Sequence, residues 1–215
     1  MNGYFYPQKG SDDRASIQSA LDSAALAGRG TVILTGEWNV DGTLYISDHT
    51  TLLFDGATLG GKGGVSPLLT NSNRLLPRGK TLFGTGRGIS VIGNGKILGT
   101  VDLVNTEDLL ISGICFEGEE SGVILSYSSG GRIINLEFNR ARRCILAGIG
   151  TRNCYFENLR TEGEEESIVF SSDRMSDRVV NYFGPDVNNN IVRGLSSRTP
   201  VRIIGEYCRD ILITP

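Results

Sequence analysis

The sequence predicts a right-handed parallel β-helix whose N-terminal end is closed by a capping α-helix. Three features of the 215 residues predict it: a short strand pattern repeated at intervals near 22 residues, a second row of strands with the same spacing, and a helix-forming segment ahead of the first strand. Equivalent positions of neighbouring coils in such a fold stand about 4.8 Å apart. The spacing along the chain therefore also predicts which side chains share one surface.

The repeated pattern is an apolar pair, then Gly or Asn, then further apolar positions that alternate with polar ones. The Gly or Asn positions are Gly56, Gly93, Gly113, Asn135, Asn158 and Gly194. Their separations are 37, 20, 22, 23 and 36 residues. Three consecutive gaps near 22 residues are typical of single coils of a parallel β-helix. The two long gaps predict coils that carry insertions, near residues 60–88 and 171–190.

A second strand follows each repeated strand after a short connection. Gly122, Cys144 and Ser167 mark three of these second strands, and they are separated by 22 and 23 residues. Two rows of strands in one register predict a wound parallel sheet. The coil is predicted to be right-handed, because parallel crossover connections are right-handed in nearly all proteins.

The helix-forming segment at residues 11–25 precedes a first strand predicted at residues 31–34. Ser11 or Asp12 is a suitable N-cap, and the glycines that follow the segment end the helix. A helix laid across the first coil covers strand edges that would otherwise template aggregation. The sequence thus predicts one domain over residues 1–215, with a cap at 1–30 and coils at 31–215.

The composition excludes several classes of partner. A formal charge of −3 offers no electrostatic surface for nucleic acid or for an anionic membrane. No run of about 18 apolar residues occurs in the sequence, so no membrane-spanning helix is predicted. The first residues lack the basic and apolar regions of a signal peptide, which leaves open a cytoplasmic protein or a secreted one without its leader. The oligomeric state is open as well.

Cysteine, histidine and glycine patterns predict neither a zinc site nor a phosphate loop. The four cysteines lack the paired spacing of zinc ligands and are predicted to be small buried side chains. They are Cys115, Cys144, Cys154 and Cys208. His49 lies in a strand connection and is interpreted as a turn residue. The glycine clusters at 84–88 and 93–96 fit neither the Walker spacing nor the dinucleotide fingerprint, so they are interpreted as turns.

The order of these segments resembles the pectin-lyase-like superfamily, and within it the polygalacturonase-type glycoside hydrolases. The resemblance rests on residues 12–21 (Asp-Asp-Arg-Ala-Ser-Ile-Gln-Ser-Ala-Leu), on residues 30–34 (Gly-Thr-Val-Ile-Leu) and on the stacked coils, so it spans nearly the whole chain. It implies a β-helix that acts on an acidic polysaccharide. Since this superfamily also contains lyases, epimerases and phage tail proteins, the fold alone does not name an activity.

In the polygalacturonase-type family, the resemblance implies that the catalytic residues stand just before the second strand of successive coils. At those places this chain has Glu119-Glu120-Ser121, Arg142-Arg143-Cys144 and Glu164-Glu165-Glu166. Arg202-Ile203-Ile204 stands where that family has Arg-Ile-Lys. The family's catalytic residues are therefore replaced here, and their roles cannot be transferred to this chain.

The charges at these positions still indicate a site. The candidate catalytic residues are Glu119, Glu120, Glu164, Glu165 and Glu166. The candidate substrate-binding residues are Arg142, Arg143 and Arg202. Two coil steps would place the two glutamate groups roughly 9–10 Å apart, near the upper end of the range used by inverting glycosidases. Arginines between them would lower the pKa of a nearby acid, which argues against simple hydrolysis, but they suit the carboxylate of an acidic sugar.

Three functions remain open on this sequence. The first is a polygalacturonase-like protein that binds or cleaves an acidic polysaccharide or oligosaccharide. The second is a polysaccharide lyase. Its resemblance to other β-helix lyases implies that carboxylates bind Ca²⁺ and that an arginine acts as the base, and only this function requires a cofactor. The third is a non-catalytic binding or structural module, a degenerate hydrolase or a phage-tail-like protein, whose glutamates and arginines form ion pairs between coils. Tyr155 lies in a repeated strand and is predicted to belong to the core.

Overall fold

The computed structural model describes residues 3–71, 86–118, 122–162, 165–174 and 184–215. Over these residues the chain is wound into a right-handed parallel β-helix, as predicted.

The predicted capping helix is present as α1 (Asp13–Leu26). It begins after Asp12, whose Oδ1 accepts a hydrogen bond from the backbone N–H of Ala15 at 2.8 Å. Its buried residues are Ile17, Leu21 and Ala24, which join the apolar core of the first coils. The helix therefore covers the end of the core that the first strands leave open.

The strands of the described residues follow in chain order. The first group is β1 (Gly3–Phe5), β2 (Gly30–Leu34), β3 (Glu37–Val40), β4 (Leu44–Ile46), β5 (Thr50–Phe54), β6 (Thr58–Gly61), β7 (Leu69–Asn71), β8 (Gly86–Arg87), β9 (Ser90–Gly93), β10 (Lys96–Leu98), β11 (Thr100–Val104) and β12 (Thr106–Glu107). The second group is β13 (Leu110–Ser112), β14 (Cys115–Glu117), β15 (Gly122–Ser126), β16 (Arg132–Asn139), β17 (Arg143–Ala147), β18 (Tyr155–Glu162), β19 (Glu166–Ser171), β20 (Val187–Asn188), β21 (Ile191–Ser197), β22 (Arg202–Ile204), β23 (Cys208–Arg209) and β24 (Leu212–Thr214). A short 3-10 turn, Lys62–Gly64, lies between β6 and β7.

These strands form the faces of the coil. The first sheet bends through a corner, and its two legs merge in β16, β18 and β21, which run through that corner. The second sheet stacks β4, β7, β11, β15, β17, β19 and β22 in that order. A third, narrow column of strands contains the pairs β8–β12 and β20–β23. Single β-bridges at Ser129 and Arg152 connect these two pairs.

The repeated Gly or Asn is the corner residue of the first sheet. Each of the six has a positive φ, between 52° and 128°: Gly56, Gly93, Gly113, Asn135, Asn158 and Gly194. Glycine and asparagine tolerate this left-handed conformation better than other residues do. Two of these corners are also bonded to each other, because Asn158 Nδ2 donates to Asn135 Oδ1 at 3.1 Å. The repeat in the sequence is thus the physical turn between two strands.

Both predicted rows of strands keep their register. In the second sheet Val123 pairs with Ile145, and Ile145 pairs with Ile168, one coil per step. In the first sheet Phe116 pairs with Phe138, and their rings stack with centroids 5.1 Å apart. The inward side chains of both sheets form one continuous apolar core.

The cysteines are free thiols. Cys144 and Cys154 are buried as predicted, whereas Cys115 and Cys208 are only partly buried. Burial raises the pKa of Cys144 to about 12 and that of Cys154 to about 11, so neither is a thiolate at neutral pH. Within the described ranges, no three His, Cys, Asp or Glu side chains converge in a way that could hold a metal ion.

Tyr155 does not lie in the core. Its side chain is 46% exposed, because the next residue, Phe156, takes the inward position of the strand.

His49 has a φ of 54° and lies in a turn. Large parts of the two predicted insertions, residues 72–85 and 175–183, lie outside the described residues. The helical segments that the structure describes are too short or too polar to cross a membrane.

Candidate functional site

The predicted arginines and Glu166 meet where strands of the second sheet begin. Arg143 begins β17 and Glu166 begins β19, and the two residues pair directly across neighbouring coils. Arg202 begins β22, one coil further, where it pairs with Val169. The prediction that residues about 23 apart stand above one another is therefore confirmed for Arg143 and Glu166.

Glu166 is held by three arginines of the described residues, and these four residues are called the arginine–glutamate cluster. Arg143 Nε donates to Glu166 Oε2 at 2.7 Å, and Arg202 Nη1 donates to Oε1 at 2.8 Å. Arg174 Nη1 donates to Oε1 at 3.2 Å and to Oε2 at 3.1 Å. Since Glu166 is only 5% exposed, its carboxylate is satisfied mainly by guanidinium groups.

The coil geometry explains this convergence. Arg143 and Arg202 stand on the coils before and after that of Glu166, so they approach its carboxylate from two sides. Arg174 follows β19 in a turn, where Ser171 Oγ accepts a hydrogen bond from the Arg174 backbone N–H at 3.0 Å. This turn brings Arg174 back to Glu166, eight residues earlier in the chain.

Water is partly excluded beside the cluster. Val169, the strand partner of Arg202, is fully buried, and Leu146, the strand partner of Val169, is 4% exposed. Neither residue belongs to the continuous core inside the coil, so the outer face of the second sheet is covered there. Ionic interactions next to buried apolar groups are screened less than those in open solvent.

The cluster carries more positive than negative charge. Three guanidinium groups face one carboxylate, which leaves a formal charge of +2 on these four residues. The side chains of Arg143, Arg174 and Arg202 are 43%, 36% and 51% exposed. Each guanidinium has five N–H donors, and the hydrogen bonds to Glu166 use only some of them. The cluster can therefore offer oriented donors to an anion from solvent.

Glu166 is ionised at neutral pH. Burial alone would raise the pKa of its carboxyl group, but the hydrogen bond and charge of Arg143, with those of Arg174, outweigh burial and lower the pKa below its ordinary value. Such a carboxyl group is a poor proton donor at neutral pH. The contacts favour a role for Glu166 in positioning the arginines, and catalysis by Glu165 or Glu166 stays a prediction.

A second ion pair lies beside the cluster. Arg142 Nη2 donates to Glu165 Oε1 at 2.9 Å, and the two side chains are 52% and 54% exposed. Together with Arg143 and Glu166, this pair forms the arginine-to-glutamate step of the inter-coil ladder that the sequence left open. The other step of that ladder, from Glu119 and Glu120, lies outside the described residues. Exposed pairs of this kind contribute little to stability.

Three predicted residues, Glu119, Glu120 and Glu164, lie outside the described residues. The predicted separation between two glutamate groups therefore stays a prediction. Conversely, sequence reasoning does not identify Arg174 as a site residue. Arg174 lies after β19 in a predicted insertion, where no repeat fixes its position. The usable indication is a basic residue just beyond a strand that begins with an acidic one.

Comparison with known proteins gives local likeness in sequence and broad likeness in structure. No family model matches the chain. The mannuronan C5-epimerase AlgE4 of Azotobacter vinelandii is 50% identical over 54 residues, which is 25% of this chain. The matched part is 10% of AlgE4, so the chain spans about a tenth of the length of this curated relative.

Three solved structures illustrate the broader likeness. The A-module of the A. vinelandii mannuronan C-5 epimerase AlgE6 has a TM-score of 0.59 at 16% identity, covering 94% of this chain and 64% of that one. The tailspike protein of E. coli bacteriophage HK620, in complex with a pentasaccharide, has a TM-score of 0.62 at 12% identity, covering 97% and 47%. A candidate glycosyl hydrolase from Parabacteroides merdae has a TM-score of 0.58 at 11% identity, covering 99% and 93%.

The chain has the parallel β-helix fold of these proteins. At such identities the likeness concerns the fold alone. It confirms the parallel β-helix fold that the resemblance noted in the sequence implies. Any activity has to be argued from the residues of the site.

Proposed function

We propose that this chain binds an acidic polysaccharide, and that the arginine–glutamate cluster holds a carboxylate of that polymer. The observation that carries the proposal is the convergence of Arg143, Arg174 and Arg202 on the single buried carboxylate of Glu166. One negative charge cannot neutralise three positive ones. A ligand carboxylate would supply a further negative charge at a place where guanidinium donors are already oriented.

The rest of the chain supports a sugar acid rather than a nucleic acid as the ligand. The formal charge of the whole chain is −3, so the positive charge of the cluster is local and does not extend over a large basic surface. Nucleic acids are bound by many phosphate contacts in parallel, whereas one carboxylate needs only a small group of donors. The local likeness to a mannuronan epimerase supports the same ligand class, since mannuronan is an acidic polymer.

Binding is the function that the contacts of Glu166 support best. A general acid must hold a proton at the working pH, and the lowered pKa of Glu166 works against that. Cleavage of the bound polysaccharide would need other groups, and three of the predicted glutamates lie outside the described residues. Hydrolysis and elimination therefore remain predictions that the same experiment can test.

The experiment is calorimetric titration with hexamers of mannuronate and galacturonate, using carboxyl-reduced galacturonate as the neutral control. We expect the acidic oligomers to bind more tightly than the reduced one. The double variant Arg143→Ala, Arg202→Ala should bind at least about tenfold more weakly, since each charge-assisted hydrogen bond contributes about 1.5–3 kcal/mol. Arg132→Ala is the matched control, because Arg132 is an exposed arginine of β16 in the first sheet, outside the cluster.

Two results would contradict the proposal. The first is equal binding of the acidic and the reduced oligomers by the unaltered protein. The second is unchanged affinity in a folded double variant. The same samples, with and without Ca²⁺, are assayed for new reducing ends and for an unsaturated product that absorbs in the ultraviolet. Either product would identify the chain as an enzyme. Binding without either product would support a binding module.

A further inference from the structure

A second surface with features of a binding site lies at the other end of the coil. Tyr4 in β1 and Tyr6, just after it, have side chains that are 65% and 61% exposed. Phe5 between them packs against the core, so the two tyrosines lie on the opposite side of the chain. Two residues of extended chain separate them by about 7 Å. Neighbouring exposed aromatic side chains, unlike single scattered ones, can mark a binding surface.

The tyrosines border an open groove between β1 and α1, with a volume of about 530 Å³. On the helix side the lining side chains are small: Ser16, Ser19, Ala20 and Ser23. The remaining lining residues are Phe5, Pro7 and Gln8. None of the residues that line this groove carries a charged side chain. The groove therefore offers aromatic faces, hydroxyl groups and an amide, with no ion to attract a charged ligand.

We propose that this groove binds a neutral saccharide, with sugar rings stacked on Tyr4 and Tyr6. A pyranose ring has C–H groups on its faces and hydroxyl groups on its edge. Aromatic rings match the faces. Ser16 Oγ donates to the Gln8 carbonyl at 2.7 Å and Gln8 Nε2 donates to the Tyr6 carbonyl at 3.2 Å, so the oxygens of these two side chains can accept hydrogen bonds from sugar hydroxyl groups. A neutral sugar leaves no uncompensated charge in this groove, whereas a uronic acid would leave its carboxylate without a counter-ion.

The groove is separate from the arginine–glutamate cluster. β1 and β18 are six strand steps apart along the first sheet, and Glu166 lies in β19 of the same coil as β18. Six steps of about 4.8 Å amount to roughly 30 Å. The two sites would therefore contact different parts of a glycan or different glycans, and each can be tested without the other.

The test is calorimetric titration with two neutral probes, cellohexaose and mannohexaose. The unaltered protein should bind at least one of them. Tyr4→Ala and Tyr6→Ala should each weaken that binding by about two- to tenfold, the contribution expected of one aromatic contact. Tyr4→Phe and Tyr6→Phe should stay within about twofold of the unaltered protein, because the stacking face is kept. Tyr155→Ala is the matched control, since Tyr155 is also exposed on the first sheet.

The proposal fails if the unaltered protein binds neither probe, or if both alanine variants bind as tightly as Tyr155→Ala. It also fails if sedimentation shows that the tyrosines drive self-association, which would assign the groove to a second copy of the chain. Because both tyrosines are exposed, the variants should unfold at the same temperature as the unaltered protein. The Arg143→Ala, Arg202→Ala variant should still bind the neutral probes, so this proposal and the proposed function can fail independently.

Discussion

Replacing Glu166 by glutamine tests the arginine–glutamate cluster most directly. The substitution keeps the size of the side chain and removes the negative charge that Arg143, Arg174 and Arg202 share. The four hydrogen bonds at 2.7–3.2 Å then lose their ionic acceptor. Three guanidinium groups are left facing one another, and the free energy of unfolding must fall.

The size of that loss follows from the exposure of the partners. Removing one member of a buried ion pair costs about 3–5 kcal/mol. Glu166 is buried, but the three arginines are 36–51% exposed, so water can screen part of their repulsion. We therefore expect the free energy of unfolding to fall by about 1–3 kcal/mol. That is a measurable part of a typical total of about 5–15 kcal/mol.

The measurement is equilibrium unfolding in urea, followed by circular dichroism, with Glu165→Gln as the matched control. Glu165 is the preceding residue and pairs with Arg142, but its side chain is 54% exposed. Its substitution should change the free energy of unfolding by less than about 0.5 kcal/mol. If the two glutamine variants lose the same stability, Glu166 is not the counter-ion that holds the arginines.

The pH dependence of the same unfolding transition has a definite sign. The pKa of Glu166 is lowered in the folded protein, so near that pKa the folded protein binds fewer protons at this residue than the unfolded chain does. The contribution of Glu166 to the free energy of unfolding is complete at pH values above its ordinary pKa of 4.5. That contribution is lost as the pH falls from 4.5 through the lower pKa of the folded protein. Glu166→Gln should therefore lose less stability over that acidic range than the unaltered protein loses.

Three further predictions concern the corner, the core and the thiols. Asn135→Ala should lower the free energy of unfolding by about 1–2 kcal/mol, because alanine is strained at a φ of 56°. Asn135→Gly should lower it less, and urea unfolding distinguishes the two variants. Phe138→Ala should cost about 3–5 kcal/mol in the same assay, and a loss below 1 kcal/mol would contradict the stacked core, since Phe138 is fully buried against Phe116. Cys144 should resist iodoacetamide in the folded protein because burial raises its pKa to about 12; mass spectrometry should find the partly exposed Cys208 alkylated faster, and equal rates would refute this.

The wound sheet could be predicted from the sequence because its register is set by a residue with special backbone needs. A corner at a positive φ accepts glycine or asparagine, and this requirement recurs once in each coil. Residues such as Arg143 and Glu166 inherit that spacing, so their pairing could be predicted as well. The spacing between similar residues in the sequence therefore predicts the periodic part of the fold.

The residues that sequence reasoning missed lie where the period gives no information. Arg174 lies in a turn beyond β19, and its position depends on local hydrogen bonds rather than on the repeat. Tyr4 and Tyr6 precede the first repeated corner, so no spacing predicts which side they face. The sequence pattern predicts Tyr155 in the core because this residue starts a repeated strand. Side chains alternate between the faces of a strand, and a shift of one residue places Phe156 inside and Tyr155 outside.

Glu166 distinguishes a positioned binding site from a simple basic patch. If charge alone attracted the ligand, Glu166→Gln would strengthen the binding of mannuronate and galacturonate hexamers, because the charge of the cluster rises from +2 to +3. If positioning matters more, the same variant binds them more weakly, because the arginines lose the acceptor that keeps them converged. We expect weaker binding in calorimetric titration at moderate salt, where long-range attraction is screened. Tighter binding by Glu166→Gln would show that Glu166 only offsets charge, and that the buried contacts around it do not prepare the site.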